Sequence, residues 1–138
     1  MMLALLLAAE LSADGPDLAV IDKAVARCDA RIMTSTFTAE PQRRRAFAIA
    51  AYHEQESIVA ARRALATKRL APVLVATPAA GGLAPAGNAD LEREAGLVAE
   101  RQQELDDIRM LAGQRDQLLD MMRQQYLTKC SGKLDAQN

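Results

Sequence analysis

The stretch LEREAGLVAERQQELDDIRMLAGQRDQLLDMMRQQY, residues 91–126, places an apolar or aromatic residue at every seventh position: Leu91, Val98, Leu105, Ala112, Leu119 and Tyr126. An apolar repeat of this period, held over five steps, is the pattern of one long helix that keeps a single face against a helical neighbour. Leu97, Leu111 and Leu118 widen the stripe on one side, and Ile108 and Met122 widen it on the other. The stripe is broader than a two-stranded coiled coil needs, so the pattern predicts two neighbours. Asn88 or Asp90 can cap the start and Gly132 lies near the stop, which sets the helix at about 90–130. Gly96 and Gly113 are its weak interior points.

The rest of the chain supplies the two neighbours. After Gly15 and Pro16, Asp17 can cap a helix over about 17–33 whose apolar positions Leu18, Ile21, Val25, Cys28 and Ile32 step by three or four. The β-branched, hydroxyl-rich run Thr34 to Thr38, followed by Pro41, predicts a break and a restart. A second helix is expected over about 39–70, with Phe47, Ala51, Ile58, Ala61 and Leu65 on one face. Residues 71–89, rich in Ala, Pro and Gly around Val73, Leu74 and Val75, read as a flexible linker. At 1.5 Å per residue the second helix spans roughly 45 Å and the third roughly 60 Å. An antiparallel pair leaves an overhang on which the first helix can dock. The predicted fold is therefore all-α: an antiparallel helical hairpin of two long helices with a shorter docked N-terminal helix, in one domain over residues 14–138.

The N-terminus bears on compartment. Met1 to Ala9 is an unbroken apolar run followed by Glu10, Leu11, Ser12 and Ala13, and residues 1–13 resemble a short secretory signal peptide cut after Ala13. The alternative is that Leu3 to Leu11 forms the opening turns of an ordinary packed helix. The run is far short of the roughly 20 apolar residues that cross a bilayer, so no transmembrane anchor is expected. Export places the protein in a periplasm or outside the cell. In such a compartment Cys28 and Cys130, which this folding brings to one end of the molecule, form a disulfide. Closing a loop of about 100 residues is worth on the order of 4 kcal/mol. With no Cys-x-x-Cys spacing and a single His, structural zinc and redox catalysis are poor readings.

Composition narrows the function. Of 138 residues 50% are hydrophobic but only 3% aromatic, with no Trp, so the core is thin and Ala-rich. A net charge of -1 provides no global field for nucleic acid. Charge is uneven, however: the second helix is basic, with Arg43, Arg44, Arg45, Arg62, Arg63, Lys68 and Arg69, and the third is acidic, which favours their lying side by side. Arg43, Arg44 and Arg45 are the candidate contact for an anionic partner, including peripheral anionic lipid. Nucleic acid is disfavoured, because stacking aromatics are nearly absent. His53 and Glu56 lie one turn apart and could share a metal only if a dimer doubled the set. No cofactor is implied. A base without a nucleophile, and no glycine-rich phosphate loop, argue against an enzyme.

The segment Phe37-Thr38-Ala39-Glu40-Pro41-Gln42-Arg43 resembles the Leu-Thr-x-x-Gln segment that opens a helix in small periplasmic stress chaperones, dimeric helical hairpins. Over these seven residues Phe replaces Leu and one extra residue precedes Gln42. The resemblance implies at most an ATP-independent holdase or stress-linked binding role. The reading that results is a non-enzymatic, exported structural or adaptor protein that presents a long helical surface to a protein partner or to itself. The alternative is a cytosolic nucleic-acid-binding regulator acting through the Arg-rich second helix.

Overall fold

The computed structural model describes residues 15–75 and 87–134. All regular structure among them is helical: α1 (Leu18–Arg27), α2 (Ala30–Val75) and α3 (Gly87–Leu134). The fold is an antiparallel hairpin of the two long helices, α2 and α3, with the shorter α1 docked on it.

The first helix boundary lies earlier than the sequence predicts. The Asp17 carboxylate caps α1, accepting from the backbone N–H of Ala19 at 2.9 Å. Cys28 then takes the left-handed conformation, with φ of 55°, in a place where glycine is usual. The N–H of Cys28 reaches the Val25 carbonyl at 3.3 Å and that of Asp29 reaches the Ala24 carbonyl at 2.9 Å, which closes the helix end. Asp29 immediately caps the next helix, its carboxylate accepting from the N–H groups of Arg31 and Ile32 at 3.1 Å each.

No break occurs between Thr34 and Pro41. Helix α2 runs through this stretch although Pro41 has no N–H for the Phe37 carbonyl, a loss on the order of 3 kcal/mol in a helix interior. Buried side chains on both sides of the proline, Met33 and Glu40 before it and Ala50 after it, hold the helix on its course. The expected 71–89 linker is helical at both ends, since α2 extends to Val75 and α3 begins at Gly87. Residues 76–86 lie outside the described residues, as does the expected signal segment 1–13.

The described residues divide into two compact units, one of 15–50 with 108–134 and one of 51–75 with 87–107. The core of the first unit joins all three helices: Ile21, Ala24 and Val25 of α1, Met33 of α2, and Leu119, Tyr126 and Cys130 of α3. Leu18, Ile32, Phe37 and Met122 pack around it. Helix α1 runs parallel to α3, because Arg115 donates to the Pro16 carbonyl at 2.8 Å and Lys129 donates to the Ala26 carbonyl at 3.3 Å. Gly15 lies against the Arg115 guanidinium, which a β-carbon there would push aside.

In the second unit the buried residues are Ala51, Ile58 and Leu65 on α2 and Val98 and Leu105 on α3. Burying side chains as large as Ile58 or Leu105 contributes about 1.5 to 3 kcal/mol each. Polar pairs fix the antiparallel register: Arg101 with Glu54 at 2.6 Å, Gln55 with Gln102 at 3.0 Å, and Lys68 with Glu94 at 2.7 Å. The exposed ones among them add little energy. Among the described residues no helix is long and apolar enough to cross a membrane.

Candidate functional site

Cys28 and Cys130 are joined by a disulfide, with their Cα atoms 5.6 Å apart across a sequence separation of 102. Cys130 is almost fully enclosed by the α1–α2–α3 core. The bond ties the end of α1 to the last turns of α3 and thereby fixes where α1 lies on that helix.

Two of the three candidate arginines are occupied within the chain. Arg43 bonds both the Glu40 carboxylate, one turn back on α2, and Asp116 of α3. Arg44 donates to Asp120 at 2.9 Å, to the Asp116 carbonyl at 3.3 Å, and to Glu40 at 3.3 Å. Glu40 is only 4% exposed. Burial alone would raise its carboxyl pKa, but the two guanidiniums outweigh burial and hold it below the usual carboxylate range. The Glu40 bond likewise raises Arg43, and the Asp120 bond raises Arg44. Arg45 is exposed. The triplet is thus chiefly a clamp between α2 and α3, with one member facing solvent.

His53 Nδ1 lies 3.3 Å from the Glu56 carboxylate, and both side chains are exposed. The Tyr52 ring meets the imidazole edge-on at 5.8 Å, and its hydroxyl bonds Glu56, which raises the phenol pKa. Among the described residues no group of three or more His, Cys, Asp or Glu could hold a metal ion.

The surface feature that periodicity misses lies on α3. The ladder itself is buried from Val98 through Leu105, Ala112 and Leu119 to Tyr126. Of the residues expected to widen it, Ile108 and Met122 are half-buried, but Leu97, Leu111 and Leu118 are exposed, Leu111 to 58%. Leu111 and Leu118 share their side of the helix with Met110, Gln114, Gln117, Met121, Gln124, Gln125 and Thr128. At 3.6 residues per turn these nine positions fall within an arc of roughly 140°. All nine are exposed, Met110 to 56% and Met121 to 55%, and none is charged. The charges of the same stretch, Arg115, Asp116, Asp120 and Arg123, point elsewhere around the helix.

A groove of about 620 Å³ between α1 and α3 continues this face. It is lined by Val25, Ala26, Met121, Gln124, Gln125 and Thr128, together with the charged Asp22 and Lys129. A smaller cavity of about 280 Å³ lies between α2 and α3, lined by Met33, Phe37 and Tyr126. There the Arg123 guanidinium sits over the Phe37 ring at 5.4 Å. Charge depletion, rather than apolar periodicity, is the sequence signal that marks the α3 face.

Comparison with protein-family models, with curated proteins and with solved structures gives no match to this chain.

Proposed function

We propose that this is a non-enzymatic helical adaptor of an exported, oxidising compartment, which binds a protein partner through the uncharged face of α3. The observation that carries the reading is the set of nine exposed, uncharged positions from Met110 to Thr128 in a chain of which 25% is charged. Depletion of charge with retention of Met and Leu is the composition of an interface core rather than of a solvated helix face. The Cys28–Cys130 bond supports the compartment, since such bonds persist where thiols are not kept reduced. The occupation of Arg43 and Arg44 by Glu40, Asp116 and Asp120 weighs against a nucleic-acid surface built on the arginine triplet.

The experiment is a photo-crosslinking residue placed at position 118, followed by mass spectrometry of the adducts, with the same residue at position 120, among the charged side chains, as control. A protein adduct from 118 and none from 120 supports the reading. Equal labelling at both positions, or none at either, refutes it. Intact mass without reductant tests the compartment: removal of residues 1–13 together with an intact Cys28–Cys130 bond is expected.

A further inference from the structure

We infer that the partner of the α3 face is a second copy of this chain, docked antiparallel about a twofold axis between Leu119 and Asp120. This inference rests on the adaptor reading and names its partner.

Six of the nine exposed positions, Leu111, Gln114, Leu118, Met121, Gln125 and Thr128, step by three and four as the seam of a second helix pair does. Inverted about that midpoint, the seam falls on itself: Leu118 opposes Met121, Gln114 opposes Gln125, and Leu111 opposes Thr128. The centre is apolar, both flanks meet amide to amide, and no position opposes a charge. Isologous association demands this, because one surface must complement its own inverted copy. A glutamine amide both donates and accepts, so Gln114 and Gln125 satisfy each other across the axis. A foreign partner would not require the inversion.

The groove supplies a second fit. It flanks the 121–129 end of the seam, between α1 and α3. Twofold pairing lays the partner's Leu111 end along that end of the seam, and does so twice. The lining carries one charge of each sign, Asp22 and Lys129, and so sets no net charge on the occupant. From Leu111 to Thr128 the seam is about 27 Å long at 1.5 Å per residue, which corresponds to an interface at the small end of the stable range. The dimer is therefore reversible and concentration-dependent.

Sedimentation of the full chain, disulfide intact, over the micromolar to millimolar range is expected to show a monomer–dimer equilibrium. Leu118→Glu places like charges near the axis and is expected to weaken the dimer about tenfold or more. Adding Met121→Lys restores it, since each glutamate then faces the partner's lysine; a parallel pairing would not be rescued. Helix content by circular dichroism shows that the variants stay folded, and Leu111→Glu, at a seam position ahead of the start of α1, is expected to weaken the dimer in the same direction should Leu118→Glu disturb α1. A chain that stays monomeric, a dimer indifferent to Leu118→Glu, or failure of the rescue overturns the inference. If the chain is monomeric while position 118 still crosslinks to a different protein, self-pairing fails and the adaptor reading stands. If it is monomeric and nothing crosslinks, both fail.

Discussion

Cys28 occupies the left-handed position that ends α1, and its sulfur is bonded to Cys130, a residue 102 positions further along the chain. One residue thus both terminates a helix and pins it to the far end of another. In this thin, Ala-rich protein the constraint on the unfolded chain is a large fraction of ordinary domain stability. Reduction, or the pair of substitutions Cys28→Ala and Cys130→Ala, is expected to cost about 4 kcal/mol in chemical denaturation. In a chain already carrying Cys130→Ala, Cys28→Gly is expected to be more stable than Cys28→Ala by about 1 kcal/mol, since glycine takes the left-handed conformation without a steric penalty.

The Glu40 carboxylate is held ionised by Arg43 and Arg44, against the burial that opposes it. Its pKa is lower in the folded chain than in the unfolded one. Its contribution to stability is therefore present above the ordinary carboxylate range and is lost as pH falls through the depressed folded value. Glu40→Gln is expected to destabilise by about 2 kcal/mol at neutral pH, because two guanidiniums lose the negative charge they share, and one of its two acceptor oxygens, in a protected site. The gap between the variant and the parent should close as pH falls below about 4. Urea titrations of both proteins at several pH values measure it.

Much of this arrangement is legible in the sequence. The seven-residue ladder marks the buried face of α3, and the opposed charges of the two long helices pair as Arg44 with Asp120 and Lys68 with Glu94. The α1 boundary is not legible, because a cysteine stands where glycine usually signals the end. Nor is the exposure of Leu111 and Leu118. Periodicity counts any apolar residue beside the ladder as core, yet α1 is only ten residues long and starts level with Arg115. Leu111 is left open to solvent before α1 begins, and Leu118 remains 39% exposed.

Pro41 sits inside α2 with no N–H to give the Phe37 carbonyl, and the helix continues because its neighbours are packed. Restoring the donor without altering that packing should stabilise the chain. Pro41→Ala is expected to raise stability by about 1 to 3 kcal/mol, the helix-interior gain less the extra freedom conferred on the unfolded chain. Thermal unfolding at fixed protein concentration measures the shift, and a loss of stability would mean that the proline geometry itself positions Glu40.

Leu119 and Leu118 are adjacent in sequence and opposite in consequence. Leu119 is fully buried in the three-helix core, whereas Leu118 lies on the uncharged face. Leu119→Ala removes buried methyl groups and leaves a cavity among Ile21, Met33 and Tyr126, at an expected cost of about 3 kcal/mol. Leu118→Ala is expected to change monomer stability by less than about 1 kcal/mol, as an exposed substitution does. The difference holds at protein concentrations where no dimer forms. At higher concentration the pairing of α3 faces adds a stabilising term to the parent that Leu118→Ala loses in part. The cost of Leu118→Ala should therefore grow with concentration while that of Leu119→Ala stays constant. Denaturation of both variants at two well-separated concentrations distinguishes a core position from an interface position on neighbouring residues of one helix.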